Sequence, residues 1–361
     1  MGIGGLERVV ATIARTTDRS LFDPQVLCLR YKGDFGRALE KDGVPVHVLP
    51  WEEGTTDYLA FKDVARIMRE ERIDVVHTHN TDPFISGGLA RLLVPRRITH
   101  VHTDHARSFP DATRYYVAEH VLSWFTHAVV GVSEHTTENL RQYEKISPRK
   151  LVTIPNGIDP SPYDHPAPRE EIRAELGVPL DVPLMGLAAR LTDQKGVDVL
   201  LRALPSVVER VPDAQLVIAG DGPEKEPLEA LAREVGVDDS VSFLGPRTDF
   251  VDLITGLDVY ALPSRWEGLP MVILEAMAAR VAIVAASVGG VPRAVVDGTS
   301  GLLVPSEDEV ALADALVRAL LDPTLRRDLA REARRTFESE YSADVMTSRY
   351  ERLYQKLPLE G

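Results

Sequence analysis

Short apolar runs alternate with amphipathic stretches along the whole chain. In the first half the apolar runs include residues 25–29, 74–77 and 128–132, and stretches with helical periodicity such as 61–71 separate them. Strands joined by helices run parallel, because the helix carries the chain back to the edge of the sheet at which the previous strand began. The alternation therefore predicts an α/β fold with doubly wound parallel sheets.

A proline-rich stretch interrupts this alternation between residues 155 and 168, and we interpret it as a linker. The total length of 361 residues also fits two domains. We therefore expect an N-terminal domain over 1–160, a second domain over 161–340, and a C-terminal helix over 341–361 that packs back on the first domain.

Composition excludes several classes of protein. Acidic residues outnumber Lys and Arg by 14, mostly after residue 160, which argues against a nucleic-acid partner. Cys28 is the single cysteine, so neither a disulfide framework nor a cysteine metal site is expected. The longest apolar stretch, 271–291, contains Glu275 and Arg280, and we predict no membrane span and no signal peptide. The expected location is cytoplasmic, at most peripheral at the inner face of the membrane.

Glycines and cations follow the predicted strands of the second half. The segment after strand 184–188 contains Arg190 and Lys195, and further glycine-rich segments follow the strands at 215–219 and 281–285. The carboxyl ends of parallel strands share one sheet edge, where ligands bind in open α/β folds. Glycines, helix N-termini and two cations suit a diphosphate. One such loop alone is more often an ordinary turn, and the set of loops at one edge favours a binding site.

Glu275 is the one charged residue in an otherwise apolar helix predicted over 269–279. A charge in such a helix costs several kcal/mol unless it is paired or hydrogen-bonded. Glu267 stands eight residues earlier, just before the helix, so both carboxylates can address one ligand at the helix start. The alternative is a surface glutamate on a thin polar stripe.

In their order along the chain, these motifs resemble glycosyltransferase family 4, whose members are retaining enzymes with the GT-B fold of two Rossmann-like domains and an interdomain cleft. The segment from Glu267 to Glu275 resembles the E-x7-E motif of that family. Other segments match its pattern in the same order: 4–7, 74–80, 129–133, 155–159, 190–196, 219–223 and 288–292.

The resemblance implies a nucleoside-diphosphate sugar, such as a UDP-sugar, bound by the second domain. Arg190 and Lys195 would hold the diphosphate, Glu275 the ribose hydroxyls, and Glu267 the hydroxyls of the transferred sugar. The family pattern implies further donor contacts at Gly4, Gly5, Gly220, Gly245, Gly268 and Leu269. It also implies no metal and no separate cofactor. The implied acceptor is a carbohydrate or a lipid-linked molecule in polysaccharide, glycolipid or glycoconjugate synthesis.

A cluster of histidines follows one strand of the first half. The segment from His102 to residue 107 resembles a family motif in which a histidine contacts the donor sugar. That resemblance favours His105 as the catalytic histidine, while His102 is interpreted as a packed strand residue. A histidine metal site would need a companion carboxylate cluster, which the sequence lacks.

The sequence departs from the family pattern at two positions. Arg280 stands where a helix-ending glycine is common, so the turn after that helix is expected to be strained or differently capped. Arg293 stands where family members usually have a glutamate, which weakens any inference about the identity of the donor.

Two features of the first half lead to further expectations. The glycine turn at 4–5 has no strand before it, whereas the family begins with a buried strand, so we expect that first strand to be missing. Arg91, Arg96 and Arg97 flank a short apolar segment. They suggest weak peripheral contact with a membrane or a lipid-linked acceptor, although a solvated helix end is the simpler interpretation.

Two other functions remain open on the sequence alone. A GT-B-fold sugar-nucleotide epimerase or hydrolase would place a pair of catalytic carboxylates in the first domain, where no such pair follows a predicted strand. A non-catalytic protein that binds nucleotide sugars would not need to retain Arg190, Lys195, Glu267 and Glu275 together.

Overall fold

The computed structural model describes residues 5–49, 59–105 and 113–357, apart from the side chains of 113–116 and 118. The chain divides into two compact units, which are described separately below. The first contains Met1–Gly157 with Ala343–Gly361, and the second contains Ile158–Ser342. Among the described residues, no helix is both long enough and apolar enough to cross a membrane.

The described residues form twelve strands, and every strand pair is parallel. The strands are β1 (Val26–Cys28), β2 (Val46–Val48), β3 (Val75–His79), β4 (Thr99–Asp104), β5 (Ala128–Gly131), β6 (Leu151–Thr153), β7 (Leu184–Ala188), β8 (Gln215–Ala219), β9 (Val241–Gly245), β10 (Val259–Leu262), β11 (Ala282–Ala286) and β12 (Leu302–Val304). In the first unit β1 pairs with β2, and a separate sheet has the order β3-β4-β5-β6. The second unit has one sheet with the order β12-β11-β10-β7-β8-β9.

Sixteen α-helices lie between and after these strands in the described part of the chain. They are α1 (Gly5–Thr16), α2 (Gly33–Lys41), α3 (Ala60–Glu70), α4 (Thr81–Leu92), α5 (Thr113–Phe125), α6 (Glu134–Gln142), α7 (Ser161–Asp164), α8 (Arg169–Glu175), α9 (Val197–Arg210), α10 (Lys225–Glu234), α11 (Phe250–Thr255), α12 (Met271–Ala278), α13 (Val291–Ala294), α14 (Glu309–Leu321), α15 (Pro323–Glu340) and α16 (Ala343–Lys356). Although it is last in sequence, α16 belongs to the first unit, where Thr16 of α1 and Thr347 are joined by a hydroxyl–hydroxyl hydrogen bond of 2.5 Å.

The structure confirms the predicted α/β class and the parallel sheets. The strands predicted at 25–29, 74–77, 128–132, 184–188, 215–219 and 281–285 are all present, with ends displaced by no more than two residues. The helix predicted over 269–279 is shorter, because Pro270 precedes its first turn and α12 begins at Met271. The proline-rich stretch is not simply a linker: it contains α7, buries Tyr163 and bonds the Ile158 amide to the carbonyl of Tyr341.

The second unit has its core on both faces of the sheet. One cluster joins α9 and α14 to one face, through residues such as Leu200 and Leu316. The other joins α12 and α15 to the opposite face, through residues such as Ile273 and Phe337. Burial on both faces explains why the β11 sequence is continuously apolar, since each of its residues is buried. Helices packed on both faces hold the sheet in place, so the loops at its carboxyl edge begin from rigid strands.

Arg280 ends α12 in the left-handed region with φ of 56°, as its place in the sequence suggested. The amide of Val281 donates to the carbonyl of Ala276, and the amide of Arg280 donates to that of Met277, which satisfies the last carbonyls of the helix. The turn is therefore capped in the way a glycine would cap it, with a β-carbon where glycine has none.

We expect Arg280→Gly to raise the free energy of unfolding by about 0.5–1 kcal/mol. The left-handed conformation costs a non-glycine residue about 1–2 kcal/mol, and part of this gain is offset because glycine gives the unfolded chain more freedom. The ion pair lost, between Arg280 and Asp164 at 3.5 Å, is half-exposed and worth little. Thermal melts of the two proteins measure the difference. Arg280→Ala keeps the β-carbon, so a gain in that variant would contradict this explanation.

Candidate active site

In the sheet of the second unit, neighbouring strands end at the same carboxyl edge, so the loops that follow them lie side by side. The strands β7 and β10 are paired neighbours, and the loops after them carry Lys195 and Glu267. The strand β11 pairs with the other side of β10, and the loop after it carries Gly289 and Gly290. The sheet order thus brings together residues that lie far apart in sequence.

Glycines allow these loops to touch through their backbones. A β-carbon on Gly289 would lie 1.7 Å from the carbonyl oxygen of Glu267, and one on Gly196 would lie 2.2 Å from that of Pro263. The amide of Gly290 donates to the carbonyl of Gly268 at 2.7 Å. No other residue type fits at such separations, so these glycines hold the loop of Glu267 against its neighbours on both sides.

Lys195 and Glu267 form an ion pair at the centre of this edge. The Lys195 Nζ donates to Glu267 Oε1 at 2.6 Å, and the hydroxyl of Ser264 donates to the same oxygen at 2.8 Å. The two side chains are 19 % and 6 % exposed. The second carboxylate oxygen of Glu267 accepts no hydrogen bond from the residues that the structure describes. A cation and a fixed acceptor oxygen are therefore both available to a ligand at this edge.

Arg265 joins the loop after β7 to the loop after β10. Its guanidinium binds the carboxylate of Asp198 through two bonds of 2.8 and 2.9 Å, and it donates to the carbonyl of Asp193 at 2.7 Å. A third loop contributes Glu307, whose carboxylate accepts from Arg265 Nε at 3.1 Å. These carboxylates raise the pKa of Arg265. Sequence reasoning missed this residue, because an arginine beside a tryptophan in a loop gives no signal of its partners.

Glu275 is buried in the second turn of α12. The hydroxyl of Tyr260 donates to the carbonyl of Ala188 at 3.2 Å, where β7 ends. Burial raises the pKa of Tyr260, and the negative charges of Glu275 and Glu267 raise it further. The charges of both carboxylates of the E-x7-E motif therefore act on one tyrosine hydroxyl. Tyr260 was not predicted as part of the site, because it lies within a strand.

The remaining predicted donor residues are distributed as follows. Arg190 is exposed and forms no ion pair with the residues that the structure describes. Gly245 ends β9 with φ of 70°, and its carbonyl accepts from the amide of Gly220 at 2.7 Å, so both glycines lie at the same edge. The side chain of Leu269 is in the core, which leaves only its backbone for a ligand. Arg293 is exposed on α13.

In the first unit, Gly5 is the exposed first residue of α1, and Gly4 lies outside the described residues. His105 follows β4, and its Nε2 is 2.9 Å from Nδ1 of His79. His102 is 2 % exposed and stacks on Phe84 with ring centroids 3.9 Å apart, as a packed strand residue would. His79 lies in the segment 74–80 that resembles the family pattern, but its contact with His105 could not be predicted from the sequence.

Burial lowers the pKa of His105 to about 4, so the imidazole is neutral at physiological pH. A neutral imidazole can accept or donate one hydrogen bond at a sugar hydroxyl, and it carries no charge. Within the described ranges, no group of three or more histidine, cysteine, aspartate or glutamate side chains could hold a metal ion.

Two family models match the chain and together cover most of it. Glycosyltransferase Family 4 matches residues 3–162, and Glycosyl transferases group 1 matches residues 168–336. The described glycine, lysine and glutamate cluster lies in the second of these ranges.

Two curated relatives illustrate the similarity in sequence. The D-inositol 3-phosphate glycosyltransferase of Saccharomonospora viridis is 33 % identical over an alignment of 320 positions, gaps included, which covers 82 % of this chain and 72 % of that protein. The alpha-maltose-1-phosphate synthase of Mycolicibacterium smegmatis is 29 % identical over an alignment of 372 positions, gaps included, which covers 94 % of this chain and 92 % of that protein.

A similar solved structure is that of HepE from Anabaena in complex with UDP, with a TM-score of 0.85 and 22 % identity over 98 % of this chain and 97 % of that one. At that identity the likeness concerns the fold, and the fold is GT-B. Together with the family models and the relative that is 33 % identical, it identifies this chain as a glycosyltransferase of family 4.

Proposed function

We propose that this glycosyltransferase takes its sugar from a nucleoside-diphosphate donor, with retention of configuration and without a metal ion. The observation that carries the proposal is the pair formed by Lys195 and Glu267, which holds one cation and one acceptor oxygen together at the sheet edge. A diphosphate needs the cation, and a sugar hydroxyl needs the acceptor.

Each residue then has one role toward the donor. Arg190 and Lys195 neutralise the diphosphate, and Glu275 accepts hydrogen bonds from the ribose hydroxyls. The second oxygen of Glu267 accepts a hydrogen bond from a hydroxyl of the transferred sugar. The backbone of Gly220, Gly245, Gly268 and Leu269 lines the donor. In the first unit, neutral His105 binds a sugar hydroxyl.

The reaction needs no protein nucleophile in this scheme. The bond from the anomeric carbon to the diphosphate oxygen breaks, and the charge that develops on that oxygen is stabilised by Arg190 and Lys195. The acceptor hydroxyl attacks the anomeric carbon from the same face and gives its proton to the departing phosphate oxygen. The products are the glycosylated acceptor and the nucleoside diphosphate.

Relatives and neighbours suggest which substrates to test first. Similar structures of HepE contain UDP and UDP-glucose, and one relative is named a GDP-mannose-dependent mannosyltransferase. Six relatives are named D-inositol 3-phosphate glycosyltransferase. We therefore propose a UDP-hexose as the first donor and a phosphorylated polyol as the first acceptor class.

A panel of UDP-, GDP- and ADP-sugars tests the donor, with thermal shift to detect binding and release of nucleoside diphosphate to detect turnover. We expect one nucleotide class to raise the melting temperature and to be hydrolysed slowly without an acceptor, and faster with one. Binding without any turnover across a panel of polyol phosphates would indicate a non-catalytic protein. Conversion of the sugar without transfer would indicate an epimerase or hydrolase. Addition of EDTA should leave the rate unchanged.

Glu275→Gln is expected to lower kcat/KM about 10- to 200-fold. The amide has the same shape, but it loses the charge that strengthens the bonds to the ribose hydroxyls by roughly 1.5–3 kcal/mol each. The fold should be retained, which a melting curve checks. The matched control is Glu309→Gln, at the exposed start of α14. Activity of Glu275→Gln within twofold of wild type would exclude Glu275 from the donor site.

A further inference from the structure

The C-terminal ends of α4 and α5 present an exposed apolar surface, which we call the α4–α5 face. On α5 it consists of Val117, Val121, Trp124 and Phe125, and on α4 of Leu89, Leu92 and Leu93. Val117 is 58 % exposed, Trp124 62 % and Leu92 54 %. Residues 117, 121 and 124 recur at helical spacing, and so do 89, 92 and 93, so each helix exposes one apolar side.

Contacts between the two helices make these sides neighbours. A β-carbon on Gly88 of α4 would lie 3.2 Å from the Leu122 side chain of α5, so the helices touch there. Near their ends, Arg91 of α4 donates to the carbonyl of Phe125 at 2.6 Å. Seven large apolar side chains in such an arrangement amount to several hundred Å², about the size at which an apolar patch marks an interaction site.

The charges beside this face are positive. Lys150 donates to the carbonyls of Ser123 and Trp124 at 2.7 and 2.9 Å, which places its ammonium group at the C-terminal end of α5. Arg91 and Lys150 donate to the neighbouring carbonyls of Phe125 and Trp124, so the two cations are close together, and burial followed by the charge of Arg91 lowers the pKa of Lys150. Arg97 and Arg149 are exposed on the adjoining loops. The one carboxylate of α5, Glu119, is buried.

The apolar side chains and the cations beside them together indicate what binds the α4–α5 face. If the face bound the same face of a second copy, its cations would repel each other, so neutral or mixed charge would favour such a dimer. An anionic lipid surface, in contrast, is bound more tightly when cations lie next to aromatic and branched side chains. Tryptophan is also enriched at the boundary between headgroups and acyl chains. The net charge of −14 does not prevent this, because charges beyond about 8 Å are screened at physiological salt.

We propose that the α4–α5 face docks this glycosyltransferase on a membrane that contains anionic lipids. Trp124 and Leu93 enter the headgroup region, and Arg149 meets lipid phosphates. Arg91 and Lys150 stay bound to carbonyls at the end of α5 and add positive potential there. Arg96, which the sequence suggested for membrane contact, is paired with Asp74 and has no part in docking.

Flotation with vesicles of phosphatidylcholine, with and without phosphatidylglycerol, tests the proposal on the whole chain. We expect binding only where phosphatidylglycerol is present, and a loss at high salt. Trp124→Ser combined with Leu93→Ser should weaken binding at least about tenfold, since two large apolar side chains no longer leave water. Arg149→Gln should weaken it as well. Each replaced side chain is exposed, so melting temperatures should stay close to wild type.

Val310→Ser combined with Leu321→Ser is the matched control, because both side chains are exposed on the second unit. That control should float like wild type, and equal losses in both pairs would overturn the proposal. So would an absence of binding to phosphatidylglycerol. A third contradictory result is a dimer in light scattering that Trp124→Ser and Leu93→Ser convert to a monomer, since the face would then bind a second copy. None of these outcomes depends on donor turnover.

Discussion

Lys195→Ala is expected to lower kcat/KM by about two to three orders of magnitude. One lysine serves two purposes in the site: it offers its charge to the diphosphate and it holds Glu267 at 2.6 Å. Its removal costs charged hydrogen bonds of roughly 1.5–3 kcal/mol each. It also leaves a carboxylate that is 6 % exposed with Ser264 as its remaining donor among the residues that the structure describes, which should lower the free energy of unfolding by about 1–2 kcal/mol.

The binding pattern distinguishes this role from general damage. Calorimetric titration of Lys195→Ala and Arg190→Ala should give weaker binding of the sugar nucleotide and of the free nucleoside diphosphate, with little change for the nucleoside. Arg318→Ala, an exposed cation on α14, is the matched control and should bind all three like wild type. Equal losses for nucleoside and diphosphate would mean that the loop itself was disrupted.

A double variant tests the contact between the two side chains. Because Lys195 and Glu267 share a hydrogen bond, Lys195→Ala and Glu267→Gln together should cost less in kcat/KM than the product of the two single losses. Multiplicative losses would show that the two residues act independently, and the ion pair would then have no part in donor binding.

Acid is expected to unfold the first unit before the second. Burial lowers the pKa of His77 and His100 to about 3 and of His105 to about 4, and that of His79 falls well below its ordinary value. In the unfolded chain a histidine titrates near pH 6.5. Between about pH 6.5 and 4 the unfolded state therefore binds protons that the folded state does not.

The direction and size of this pH effect on the free energy of unfolding follow from proton linkage. Stability from these neutral imidazoles is fully present above about pH 6.5 and is lost as the pH falls toward 4. Each histidine contributes up to about 1.4 kcal/mol per pH unit in that range, so four contribute roughly 5 kcal/mol per unit at most. A total stability of about 5–15 kcal/mol would be exhausted within two or three pH units.

Thermal melts from pH 7.5 to 4.5 measure this effect. The second unit contains a single histidine, His165, and serves as an internal control. His100→Gln should reduce the slope of stability against pH by about 1.4 kcal/mol per unit, whatever it does to stability at neutral pH. An unchanged slope in that variant, or a second unit that unfolds first, would contradict the assignment.

The sequence alone determined the architecture and predicted which sheet edge carries the candidate site. Apolar runs that alternate with amphipathic helices predict parallel sheets, and each strand named from the sequence lies within two residues of its predicted ends. The lone carboxylate in an apolar helix and the glycines after the strands pointed to the carboxyl edge of the second sheet. These are local signals, because periodicity, helix capping and the cost of a buried charge act on neighbouring residues.

Tertiary structure alone decided the contacts that set the site's geometry. Lys195 lies 72 residues from Glu267 in sequence, and only the pairing of β7 with β10 brings them together. The same pairing gives Arg265 its carboxylates and brings the Tyr260 hydroxyl to the end of β7. In the first unit, β3 and β4 likewise set His79 against His105. Such contacts depend on strand order and on which side chains share an edge, and neither is encoded in any one segment of the chain.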